Sequence, residues 1–195
     1  MRTALSLLFG LGVTLQCGAA SAQHRELGAH EHGRGTLNIA MEGARVTMEL
    51  EVPGADIVGF EHVAKTKKQK AAVEKAKTQL EAPLVLFVLP AAAGCKVNEA
   101  KVEIEGGADD HDQGKEKPKA AKDAGKDEHE HGHSEFRVQY ALECTSPGSL
   151  TGIEFAYFKT FAAAQKLEVN VITSKGQSKF MVTRAKPRID LAGMM

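Results

Sequence analysis

Net charge is missing from this chain: Lys and Arg together number 25 and Asp and Glu together 25. No stripe of basic residues interleaved with aromatics stands out either, which removes the electrostatic footprint of a nucleic-acid-binding protein. Cysteine is scarce, with 3 residues, and none lies in a C-x-x-C pair, so neither a cysteine-rich zinc module nor a dithiol redox motif is present. There is no G-x-S-x-G elbow and no phosphate-binding loop. These gaps leave no catalytic framework, and the chain is expected not to be an enzyme. The longest apolar run, Ala4 to Leu15, is too short to cross a membrane as a helix.

That run instead reads as an export signal. Arg2 supplies a positive start, and Ala20-Ser21-Ala22 supplies the small residues of a cleavage site, giving a signal peptide over 1–22 and a mature chain from Gln23. Cys17 is preceded by Gln16, which does not fit a lipobox. Cleavage leaves Cys95 and Cys144. In an oxidising compartment they most simply form one disulfide, while a thiol pair contributing to a zinc site stays open as the alternative. The remainder is long enough for one domain with a real core, 23–191, followed by a short tail over 192–195.

Hydrophobic period supplies the fold. Leu37, Ile39 and Met41 alternate, Glu42-Gly43-Ala44-Arg45 reads as a turn, and Val46, Met48, Leu50 and Val52 alternate again, the signature of a β-hairpin. From His62 to Ala82 the pattern becomes helical, with Val63, Ala72, Val73, Ala76 and Leu80 on one side and Pro83 as the stop. Leu84 to Leu89 reads as a buried strand. Cys95 to Ile104 and Phe136 to Cys144 read as a pair of strands, and a strand covers Ile153, Phe155 and Tyr157. Leu167 to Val171 and Phe180 to Val182 form a closing hairpin, and Pro187 ends regular structure. Helix and strands are segregated, which predicts an α+β fold with a largely antiparallel sheet. Phe136, Tyr140, Phe155, Phe161, Val169, Val171 and Phe180 are the expected core. If Cys95 lies opposite Cys144 in an antiparallel pair, Ile104 falls opposite Glu135. The residues 106–133 then form a long hairpin loop rich in Lys, Asp, Glu and His, with too little apolar surface to order itself without metal.

Histidine is where chemistry concentrates. Ala29-His30-Glu31-His32-Gly33 and Glu128-His129-Glu130-His131-Gly132-His133 are doubled His-x-His clusters. In extended backbone, residues i and i+2 face one way, so His30 with His32, and His131 with His133, each offer two imidazoles to one ion. Zinc takes about four ligands, so one cluster alone is incomplete. Both clusters precede predicted strands. If those strands are parallel neighbours, the clusters meet at one end of the sheet. His30, His32, His131 and His133 are the leading candidate ligands, with His129, His62 and His111 behind them. His62, at a predicted helix start, equally suits a packing or capping role. The run His129 to His133 literally matches H-E-x-x-H, but that protease motif requires a helix, and Gly132 and the following strand pattern argue against one. Copper and nickel also suit imidazole, so spacing alone does not choose the metal. A structural envelope domain with incidental histidines is a further alternative.

Ala29-His-Glu-His-Gly33, Asp56-Ile-Val-Gly-Phe-Glu-His62, Leu89-Pro-Ala-Ala-Ala-Gly-Cys95, the His-rich run to Phe136, and Leu167-Glu-Val169 with Val171-Ile-Thr173 together resemble the ZrgA family. The resemblance extends from about Ala29 to Leu191. It implies a periplasmic zinc-binding protein that assists zinc uptake beside membrane transport components, with no membrane insertion after signal cleavage. By the same resemblance, His30, His32 and the loop histidines are the expected ligands. Protonation of imidazole is expected to release metal as pH falls below about 6.5.

Overall fold

The structure, a computed structural model, describes residues 31–106 and 133–194. The expected signal peptide with its cleavage site, His30, and the loop histidines His111, His129 and His131 lie outside the described residues. Among the described residues, no helix is long and apolar enough to cross a membrane.

The two leading alternations form β1 (Arg34–Glu42) and β2 (Arg45–Pro53), an antiparallel hairpin in which Glu42 faces Arg45. Gly43 takes the left-handed φ of +57° that so tight a connection needs. Leu37, Ile39, Met41, Val46, Met48, Leu50 and Val52 all bury on one face. The short helix α1 (Gly54–Val58) follows at once. The main helix α2 spans Lys67–Leu80. It begins later than the apolar pattern suggests because Thr66 and Gln69 form a capping box, each side chain meeting the other's backbone N–H. His62 and Val63 therefore precede it, and Val63 is exposed.

Leu84 to Leu89 is not one buried strand. Pro83 occupies the first turn of α3 (Pro83–Leu86), and only β3 (Phe87–Val88) is extended. A short apolar run has no period that distinguishes helix from strand, and proline at the first helical position favours the helix. After a single 3-10 turn come β4 (Cys95–Glu105) and β5 (Glu135–Cys144). Cys95 does face Cys144, but a bulge between Val97 and Glu99 adds a residue to β4, so Ile104 faces Phe136 and Glu105 faces Glu135. At the open end of this pair Gly106 has φ +73°, and a Cβ there would sit 2.1 Å from the carbonyl oxygen of His133.

The rest of the chain adds β6 (Gly152–Phe155), α4 (Tyr157–Thr160), β7 (Lys166–Thr173), β8 (Gly176–Thr183) and β9 (Arg188–Asp190). Tyr157 thus begins a helical turn instead of extending a strand. Pro187 does not end regular structure, because β9 needs no amide from it and pairs only at an edge of its sheet. A six-stranded sheet has the order β4-β5-β2-β1-β7-β8, and a three-stranded one the order β3-β6-β9. Among the described residues every pairing is antiparallel except β1 with β7. One core joins both sheets, α2 and the short helices, with Phe87, Phe136, Phe155, Tyr157 and Phe158 at its centre; Phe180 is only partly buried at its margin. The Tyr140 hydroxyl donates to the Leu80 carbonyl at 2.8 Å, pinning the end of α2 to the sheet. The architecture is α+β with a largely antiparallel sheet.

Candidate metal centre

β1 and β5 both run antiparallel to β2, so they point the same way with β2 between them. They are not neighbours, and two interstrand steps separate them by about 9.6 Å. Their starts nevertheless share one end of the sheet, where β2 finishes and the chain turns into α1. His32 precedes β1 and His133 precedes β5. The segment leaving α1 brings Glu61 to both of them.

His32 Nε2 lies 3.0 Å from Glu61 Oε1, and His133 Nδ1 meets Glu61 Oε2. The Glu61 side chain is only 12 % exposed, whereas the two imidazoles are 65 % and 63 % exposed. The carboxylate is thus the buried member and the rings face outward. Among the described residues, His32 Nδ1 and His133 Nε2 have no hydrogen-bond partner.

Backbone contacts fix this arrangement. The Ser134 amide donates to the Glu61 carbonyl at 2.9 Å, and the Gly54 amide donates to the Ser134 carbonyl at 2.7 Å. The β5 entry is therefore stitched to both ends of the segment carrying α1 and Glu61. On the other side the Gly33 amide donates to Asp56 Oδ1 at 2.8 Å, and the Gly33 carbonyl accepts from Gln165 and Lys166 at 3.0 and 2.9 Å. Gly33 reaches these partners at φ +81°, a conformation that costs most other residues free energy. Glu31 is occupied by Lys166 Nζ at 2.8 Å and Arg34 at 3.2 Å.

Burial pushes the Glu61 carboxyl up, but the hydrogen bond from His133 and the close His32 imidazole outweigh it and hold the group below its ordinary value. Asp56 moves the other way: burial raises it, only partly offset by the Gly33 amide and by His32. Its Oδ2 is buried without a hydrogen-bond partner.

His62, the remaining described candidate, turns elsewhere. Its ring stacks on Phe60 with centroids 5.0 Å apart, Nδ1 lies 2.9 Å from the Val63 carbonyl oxygen, and Nε2 is 3.3 Å from the Gln69 amide nitrogen. Cys95 and Cys144 are bonded to each other at 2.04 Å, so they offer no thiolates to an ion. Among the described residues no group of three or more His, Cys, Asp or Glu side chains is arranged to hold a metal. His32 and His133 bring two imidazoles to one place, and His30 and His131, their His-x-His partners, lie outside the described residues.

Glu61 and Asp56 did not stand out in the sequence analysis. Their signal is the pair of acids in Asp56-Ile-Val-Gly-Phe-Glu61 directly after a strand ending in Val52-Pro53, a place where the chain must turn at the sheet end carrying the histidines. The family model described as ZrgA family zinc uptake protein matches residues 29–191. No curated protein matches the chain.

Proposed function

Because the chain belongs to the ZrgA family of zinc uptake proteins, we propose that it is a periplasmic zinc-binding protein that captures zinc through its two His-x-His clusters and passes it to membrane transport machinery. The observation that carries this reading is the meeting of His32 and His133 on Glu61, although 101 positions separate them in the chain. Each is the second member of a His-x-His pair, so His30 and His131 can bring the imidazole count to the four that a tetrahedral zinc site accepts. The exposed rings suit a cargo that must be handed on, since a transport partner can reach the ligands directly. His129 and His111 belong to the capture route in this reading, and His62 is a packing and capping residue.

The reading is non-catalytic. The last residue of the H-E-x-x-H match, His133, leads directly into the strand β5, whereas the metalloprotease motif places both histidines on one helix face. Calorimetric titration of zinc into the mature, tag-free protein tests the proposal. Binding in the micromolar range or tighter is expected, weakened in both His32→Ala and His133→Ala. Binding no tighter than about millimolar, equivalent to about 4 kcal/mol, overturns it. Competition with copper and nickel in the same cell reads the metal preference, because intrinsic affinity for imidazole sites favours copper.

A further inference from the structure

We propose that Glu61 is a positioning residue that fixes opposite proton tautomers on the two histidines, so that His32 presents Nδ1 and His133 presents Nε2 to zinc. This rests on the zinc-binding reading above. The argument starts from the chemistry of the three groups. A neutral imidazole carries one N–H and one lone pair, and an ionised carboxylate only accepts hydrogen bonds. The ring nitrogen that faces Glu61 must therefore be the protonated one. For His32 that nitrogen is Nε2, at 3.0 Å from Oε1; for His133 it is Nδ1, against Oε2. The lone pairs are left on His32 Nδ1 and His133 Nε2, neither of which has a hydrogen-bond partner among the described residues.

Three features make Glu61 a support and not a ligand. Each of its oxygens already lies against an imidazole, Oε2 in a hydrogen bond from His133 and Oε1 in close contact with His32. Its side chain is largely covered, at 12 % exposure, beneath two exposed rings. No three acids, cysteines or histidines among the described residues surround a point that could hold an ion. The carboxylate is also held in place independently of metal, because the Glu61 carbonyl receives the Ser134 amide. One anchored group thus orients rings from two strands that β2 keeps apart. A carboxylate behind a ligating histidine raises its basicity and removes the cost of selecting a tautomer when the ion arrives. Serving two rings at once, Glu61 makes two half-sites into one.

The test uses the mature chain with 15N-labelled histidine, free of zinc and held at about pH 8, above the ordinary range of imidazole titration. Ring-nitrogen chemical shifts report which nitrogen carries hydrogen, and loss of signals in His32→Ala and His133→Ala assigns them. The parent is expected to show His32 protonated at Nε2 and His133 at Nδ1. Glu61→Ala should leave both rings as tautomer mixtures, and Glu61→Gln, with one acceptor and one donor end, should keep at most one ring in its parental form. Each change should lower zinc affinity by about 10- to 100-fold. Unchanged tautomers in Glu61→Ala, or affinity within about 3-fold of the parent, overturns the inference. So does a loss as large as that of the double variant His32→Ala/His133→Ala, which makes Glu61 a ligand. Should Glu61→Ala fail to fold, Glu61→Gln, of nearly equal shape, decides alone. A parent with the stated tautomers but no zinc binding tighter than about millimolar sinks the zinc reading instead and leaves the proton assignment standing.

Discussion

Asp56 and Glu61 sit five positions apart and respond to pH in opposite directions. Glu61 is held below its ordinary value, so its contribution to stability is complete above the unfolded carboxyl value, about 4.3, and is lost as pH falls through the lower folded value. Glu61→Gln should therefore flatten the acid limb of a stability-against-pH curve below about pH 4. Asp56 is raised by burial at 4 % exposure, so the folded state keeps its proton longer and stability falls as pH rises past the unfolded value of about 3.9. Asp56→Asn retains an acceptor for Gly33 and removes the buried charge. It should be more stable than the parent at pH 7, with the difference vanishing near pH 3 in urea melts. Asp56→Ala strands the Gly33 amide and should cost about 1–3 kcal/mol in the same melts. Spacing marked His32 and His133 as candidates, and the structure brings both to Glu61; their partners at i−2, His30 and His131, lie outside the described residues. The acids were not legible in the sequence, since their importance depends on where the chain turns after Pro53.

The strands were read well where alternation is long, as in Leu37 to Val52 and Leu167 to Val182, because period two has no competitor there. Leu84 to Leu89 failed for want of any period, and Tyr157 because a helical turn can follow a strand without a change in apolar content. The start of α2 was written in Thr66-Lys-Lys-Gln69 but was masked by apolar residues further upstream. Thr66→Ala should lower the thermal midpoint through loss of about 1 kcal/mol of capping. The facing of Cys95 and Cys144 followed from counting, whereas the bulge that moves Ile104 opposite Phe136 leaves no mark in composition. The disulfide closes a separation of 49 residues. Replacing both cysteines with alanine should cost about 4 kcal/mol on loop entropy, read as a lower urea midpoint with a steeper slope as the unlinked denatured chain expands.

Strand order was beyond the sequence, because nothing in the β1 or β7 residues announces that Arg34–Glu42 pairs in parallel with Lys166–Thr173. The placement of β2 between β1 and β5 is what brings His32 and the β5 entry to one sheet end. If they hold one ion, zinc ties together strands that are distant in sequence and should raise the thermal midpoint; zinc at about 100 times its dissociation constant contributes about 2.7 kcal/mol. His32→Ala and His133→Ala should each remove most of that gain, and the double variant little more than either alone. Additive losses in differential scanning calorimetry would instead indicate two separate sites. The close approach of Gly106 to the His133 carbonyl has a consequence for how such a protein evolves. Because Gly106 and the His133 carbonyl touch, the two described segments meet at a single point. Halving or doubling the length of chain that joins them changes the closure entropy by only about 0.6 kcal/mol. That junction is a natural grafting point, where the scaffold can accept inserts of different size and keep its core intact.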